Sequence, residues 1–180
     1  MLKITIPAVE MFDEKTQTFT TTNEQTLQLE HSLVSLSKWE SKWCKPFLSN
    51  KEKTLEETLD YIQCMTITQN VKPDTYRCLS RSNIEEINKY IEAPMTATTF
   101  SGDTQKGRNK ETITSELIYY WMISLNIPME CQKWHINRLL TLIRVCNIKN
   151  APPKKMGRTE TINHYAALNA ARRKQFNTKG

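Results

Sequence analysis

From Ile113 to Ser124 the chain is apolar on nearly every side of a helix. Ile113, Leu117, Tyr120/Trp121 and Ser124 follow helical spacing behind Thr112, and Ile118, Tyr119 and Met122 widen the stripe. A helix with that pattern is either buried in a core or covered by a partner. No apolar run approaches the ~18 residues that a membrane span requires. Asn126-Ile127-Pro128 breaks the pattern, and Pro128 suits the first position of a following helix, where its missing N–H is unpaired anyway. Ile136, Leu139, Leu140, Ile143 and Cys146 then resume the spacing. Two helices joined by so short a turn predict an antiparallel hairpin at the centre of a helical core. A chain of 180 residues is long enough to bury that core without a metal or a disulfide staple.

The other segments fit around it. Leu2, Ile4 and Ile6 alternate with Lys3 and Thr5 up to Pro7, and a Thr-rich stretch runs Thr16–Thr22 around Phe19. Together they predict a short two-stranded element that must lean on the helices or on a partner's sheet, because an isolated hairpin is marginal in water. From Thr26 the period changes: Leu29, Leu33, Leu36 and Trp39/Glu40 predict a helix that runs to about Trp43 before Pro46. Trp39 and Trp43 share its face, as core aromatics or as an interface. Thr54-Leu55-Glu56-Glu57 and Ser82-Asn83-Ile84-Glu85 read as capping boxes that open two further helices, with a turn or short helical piece over Pro73–Leu79 between them. Ser101–Lys110 reads as a polar, mobile loop. The expected fold is mainly α: a single helical domain with a short N-terminal two-stranded β element and a basic C-terminal helical tail.

Charge marks the tail. All but seven of the 25 Lys and Arg, and all but Glu160 of the 19 Asp and Glu, lie in residues 1–150. The body is therefore neutral, and residues 151–180 carry the whole net charge of +6. Pro152-Pro153 sits at the boundary, where a helix cannot continue. The expected domains are a globular helical body over 1–150 and a basic tail over 151–180, partly disordered or helical. In the tail Ile162, Tyr165/Ala166, Asn169 and Ala170 suit a weakly amphipathic helix, and Arg172, Arg173 and Lys174 fall near its C-terminal end, where positive charge suits the helix dipole. Such a helix is marginal alone in water and is expected to order on docking. The cations fit an acidic partner or a solvated end equally well; with only Tyr165 and Phe176 near them, the platform for stacking nucleic-acid bases is thin.

Residue patterns for chemistry are sparse. Cys44, Cys64, Cys78, Cys131 and Cys146 form no Cys-x-x-Cys pair, and five is odd, so neither a disulfide framework nor a standard zinc motif fits. Free cysteines on apolar helix faces suit a reducing compartment. Cys131 and His135 are four apart on one expected helix, but no further ligand has metal-site spacing, and a satisfied core histidine is the simpler reading. There is no Walker loop, no dinucleotide fingerprint and no Gly-x-Ser-x-Gly elbow. The expectation is no enzyme, no cofactor and no metal. The N-terminus has no basic region followed by a long apolar stretch and is not read as a secretory signal. A helix-turn-helix reader of DNA is the main competing motif, with Lys133, Arg138, Arg144 and Lys149 in its second helix; yet Met129, Cys131, Trp134, Ile136, Leu139 and Leu140 leave that helix little polar face for base edges.

Several segments resemble one family. These are Gln25–Leu33 through Trp39–Trp43, Ile91-Glu92-Ala93-Pro94-Met95-Thr96-Ala97-Thr98, Glu116–Trp121 with Ile127-Pro128 and Trp134-His135, and the ending Ala-Ala-Leu-Asn-Ala-Ala-Arg-Arg-Lys. They look like the tail assembly chaperones of long-tailed bacteriophages, over most of residues 25–150. The resemblance implies a small, mainly helical, non-enzymatic protein that coats the tape-measure protein, keeps it soluble and recruits tail-tube subunits. It implies work in the host cell cytoplasm and absence from the mature virion. Many members also occur in a longer, frameshifted form, and Lys154-Lys155 could be encoded by a slippery adenine-rich run. The partner-binding candidates are Trp39 and Trp43, as aromatic anchors, and Arg172, Arg173 and Lys174. Self-association stays open, and no membrane partner is expected. The competing function is a phage nucleic-acid-binding or head-tail connector protein that uses the basic tail.

Overall fold

The computed structural model describes residues 1–13, 18–49, 52–100, 112–152 and 157–177. The protein is mainly α-helical with a short N-terminal β element. The chain divides into two units, Met1–Asn147 and Ile148–Gly180.

The first unit opens with four short strands: β1 (Leu2–Ile6), β2 (Val9–Asp13), β3 (Thr18–Thr22) and β4 (Gln25–Leu29). β1 pairs antiparallel with β4, Leu2 facing Leu29 and Ile6 facing Gln25, and β2 pairs with β3 from Val9–Thr22 to Asp13–Thr18. The Thr-rich stretch is thus not the partner of Leu2–Ile6. Both pairs share one hairpin register, interrupted where Pro7 offers no N–H to the ladder. The helix expected from Thr26 is also corrected. Gln25–Leu29 is strand, because extended backbone buries Leu27 and Leu29 beside Ile4 and Ile6 while β1 satisfies its hydrogen bonds. On the other side of β4, the Ile67 N–H donates to the Gln28 carbonyl at 2.8 Å and the Glu30 N–H to the Met65 carbonyl at 2.9 Å.

Among the described residues six α-helices follow. α1 (Leu33–Trp43) starts at Ser32, whose hydroxyl caps the Ser35 N–H, and ends at Cys44 in a left-handed conformation. α2 (Leu55–Met65) opens on the Thr54–Glu57 capping box read from the sequence. A 3-10 helix over Pro73–Cys78 leads to α3 (Arg81–Glu92). Its cap is Ser80 with Asn83, not Ser82 with Glu85: Ser80 Oγ accepts from the Asn83 N–H at 3.1 Å, and Asn83 Oδ1 accepts in return from the Ser80 N–H. α4 (Ser115–Ser124) is capped by Thr114 rather than Thr112. Pro128 does not begin the next α-helix. It precedes a 3-10 turn over Met129–Lys133, and α5 (Ile136–Asn150) starts later. That turn takes up the chain that a tight α4–α5 hairpin would need, and α4 packs on α1.

The core gathers one stripe from each element: Ile4, Ile6, Leu27 and Leu29 from the β1–β4 sheet, Leu33, Leu36 and Trp39 from α1, Ile62 and Met65 from α2, Ile87 from α3, Ile118 and Met122 from α4, and Ile136, Leu139 and Ile143 from α5. Fully burying each large aliphatic side chain contributes about 1.5–3 kcal/mol. In the second unit, α6 (Arg158–Phe176) forms where the Ala-rich spacing predicts helix. The loop expected over Ser101–Lys110 lies outside the described residues. Among those residues, no helix is long and apolar enough to cross a membrane.

Candidate functional site

The partner-binding candidates separate into different environments. Trp39 is 1% exposed and belongs to the core. Its indole N–H donates to the Glu57 carbonyl at 2.9 Å, and its ring meets Phe47 edge to face at 5.1 Å. This corrects its reading as a surface anchor: the turn after α1 brings Phe47 back over it and leaves no face for a partner. Trp43, one helical turn on, is half-buried and stacks on Trp39 with centroids 6.2 Å apart. Its N–H donates to Asp60 Oδ2 at 2.8 Å, and the Lys42 ammonium pairs with the same carboxylate. The amines of Lys42 and Lys45 lie 5.8 and 5.7 Å from its ring centre. Trp43 is therefore an accessible aromatic with cations around it. Arg172, Arg173 and Lys174 are exposed at the C-terminal end of α6.

Beside Trp43 a pocket of about 250 Å³ opens between Trp39, Lys45, Pro46, Lys53 and Glu57. The Glu57 carboxylate accepts from the Lys45 ammonium at 2.5 Å and from the Thr54 N–H at 2.8 Å, which holds its pKa below the usual carboxylate range. Lys53 lies 4.3 Å over the Phe47 ring, and burial lowers its pKa. Lys45, Lys53 and Glu57 each have a structural neighbour, and the pocket reads as part of the α1–α2 junction.

The strongest polar cluster is internal and centres on the two buried histidines. His31 Nδ1 and the Tyr61 hydroxyl are 2.5 Å apart. Burial, reinforced by His135, lowers the His31 pKa to about 3, and burial raises that of Tyr61. His135 Nε2 meets the Tyr90 carbonyl at 3.0 Å, and its Nδ1 lies 3.3 Å from the Asn137 N–H. With both nitrogens engaged, the ring has no lone pair to give Cys131 as a co-ligand. Among the described residues no group of three or more His, Cys, Asp or Glu side chains could hold a metal. Glu40 is the other buried anchor: Oε1 accepts from the Phe47 N–H and Oε2 from the Ser115 N–H, each at 2.7 Å. It joins α1, the following turn and the N-terminus of α4, where a carboxylate offsets the helix dipole.

The surface feature missed in the sequence lies on α4. Tyr120 is 63% exposed and Ile123 is 68% exposed, with Met129 open on the turn beyond. The helix is thus not buried all round. Glu116 and Ser124, four before Tyr120 and one after Ile123, are the polar markers that could have found this face. α6 likewise exposes Ile162, Tyr165 and Phe176. No family model, curated protein or solved structure matches the chain.

Proposed function

We propose that the chain is a non-enzymatic tail assembly chaperone of a long-tailed phage, which binds the tape-measure protein and assists assembly of the tail tube. The observation that carries this reading is the open apolar face of α4, Tyr120 and Ile123, in a protein whose remaining large apolar side chains are mostly drawn into one core. A tape-measure protein exposes long apolar helical stripes until the tube encloses it, and an apolar helix face is the physical complement of such a stripe. Covering Tyr120 and Ile123 is worth about 2 kcal/mol each before the costs of association. Trp43 adds an aromatic edge, and the resemblance in Gln25–Leu33, Ile91–Thr98 and Glu116–Trp121 supplies the assignment. The protein then acts in the host cell cytoplasm and leaves before the virion is complete.

The test is co-expression with a fragment of the tape-measure protein. The fragment should stay soluble and co-purify with the chain, and purified virions should lack it. A fragment that precipitates in its presence, or the chain found at fixed stoichiometry in mature particles, contradicts the reading. The exposed run Arg172-Arg173-Lys174 supports the second reading, a nucleic-acid-binding or connector protein. That one requires a shift of duplex DNA at low salt that disappears when residues 151–180 are removed.

A further inference from the structure

A second surface, on the α5 side of the body, has a different chemistry. After α3 the chain runs over residues 93–100 with no helical or strand pairing. Asn137 of α5 holds its start: Nδ2 donates to the Ile91 carbonyl at 3.0 Å and to the Ala93 carbonyl at 2.9 Å. The Arg144 guanidinium lies 3.9 Å over the Phe100 ring at its other end. Between these two ties the segment and α5 leave a groove of about 450 Å³, lined chiefly by Met95, Trp134, Arg138, Thr141, Leu142 and Val145.

Arg138 is the charged side chain in the groove's lining. Every acidic residue of the chain except Glu160 lies at or before Glu130, so α5 carries Arg138, Arg144 and Lys149 and no carboxylate. Residues 93–100, the opposite wall, carry no charge. Arg138 is exposed, its guanidinium sits 4.1 Å over the Trp134 ring, and no carboxylate pairs with it among the described residues. The stack fixes the guanidinium plane and leaves its edge N–H groups directed to a ligand.

We propose that this groove is a docking site for an acidic polypeptide segment with interleaved apolar residues. Met95, Leu142 and Val145 take the apolar side chains, and Arg138 takes a carboxylate. Nucleic acid fits less well. Trp134 already carries a guanidinium on its face, and the rest of the lining offers apolar side chains and threonines where a phosphate backbone would need a run of cations. The site is separate from the α4 face and does not depend on what covers that face.

The experiment uses the full chain and a fluorescein-labelled peptide of alternating Glu and Val, with the Lys–Val counterpart and an oligothymidylate as comparison probes. The Glu–Val peptide should bind, and Arg138→Glu should weaken it about tenfold or more at an unchanged melting temperature. Replacing Arg172, Arg173 and Lys174 together by Gln should leave it unaltered. If Arg138→Glu disturbs folding, Thr141→Glu places the same repulsion on the groove wall. Absence of Glu–Val binding, equal binding of the Lys–Val peptide, or loss of binding with the tail variant but not with Arg138→Glu overturns the proposal. Tighter binding of oligothymidylate, lost in Arg138→Glu, overturns it in favour of a phosphate site.

Discussion

The imidazoles of His31 and His135 meet edge to face inside the body, with ring centroids 5.0 Å apart and planes inclined by 72°. The two residues also tie distant parts of the chain together, since the Ile136 N–H donates to the His31 carbonyl at 2.7 Å. Around the pair stand Tyr61 from α2, Tyr90 from α3, and Glu30, which accepts from the Tyr90 hydroxyl at 2.7 Å and pairs with the N-terminal amine at 2.9 Å. The junction of β4, α1, α3 and α5 is therefore built on two rings that must both be neutral.

That arrangement makes stability depend on pH near neutrality. Burial lowers the pKa of both histidines, His31 to about 3. In the unfolded chain both titrate near 6.5. Between those values the unfolded state binds more protons, so the contribution of the pair is complete above the unfolded pKa and is lost as the pH falls. From His31 alone the loss by about pH 5 is roughly 2 kcal/mol. Urea unfolding at a series of pH values should show this slope, and His31→Phe should flatten it. The low-pKa carboxyls Glu57 and Glu116 act in the same direction only at more acid pH. Stability that stays level from about pH 7 to 5 would contradict the assignment.

Glu40 gives a second test, because its carboxylate serves two backbone donors in the interior. Glu40→Gln keeps the shape but turns an amide N–H₂ toward one of those N–H groups. The expected cost is about 2–3 kcal/mol, since a buried donor loses its acceptor. Chemical denaturation measures it, and hydrogen exchange should show the Phe47 or Ser115 amide losing protection first. A change below about 0.5 kcal/mol would mean that the carboxylate is not holding these segments.

Helix periodicity was legible wherever one stripe of a segment faced the core, as in Leu59, Ile62 and Met65 or Ile136, Leu139 and Ile143. It failed at Gln25–Leu29. There Leu27 and Leu29 fit a strand, while Leu29, Leu33 and Leu36 fit a helix, and only the pairing with β1 decides between them. The buried polar anchors were invisible for a related reason. His31 and Glu40 find partners 7 to 75 residues away in sequence and His135 reaches Tyr90 45 residues away, and no local pattern encodes such distances. Trp39 and Trp43 share a helix face and cannot be ranked from spacing, because Phe47 and the Glu57 carbonyl, both supplied by other segments, bury the first of them.

The two tryptophans should therefore separate experimentally. Trp39→Ala empties a packed site and removes an indole that satisfies a carbonyl, at a cost of about 3–5 kcal/mol. Trp43→Ala removes a half-exposed ring and should cost about 1–2 kcal/mol, leaving a folded chain whose partner binding can be assayed. Equal melting temperatures for the two variants would contradict the burial difference.

The cap of α3 is a sharper case, because two serines two residues apart compete for one role. The reciprocal bonds of Ser80 and Asn83 predict that Ser80→Ala costs about 1 kcal/mol, while Ser82→Ala, inside the first turn and exposed, changes stability by less than about 0.5 kcal/mol. Thermal or urea unfolding of the two variants decides it. A larger loss for Ser82→Ala would restore the box that the sequence suggested.

The α4 face is where folding and function should come apart. Tyr120 and Ile123 give the core little, so Tyr120→Lys and Ile123→Asp should leave the melting temperature within a few degrees of the parent. An apolar client surface meeting those same positions would have to desolvate a charge, and binding should weaken by a factor of about ten or more for either variant. Ile118→Asp supplies the contrast: Ile118 is on the same helix but fully buried, so it should abolish the fold and the binding together. Co-purification of the tape-measure fragment, read beside thermal denaturation of the three variants, separates a binding face from a merely exposed one. If Tyr120→Lys and Ile123→Asp retain the fragment while the fold is intact, the client sits elsewhere on the molecule.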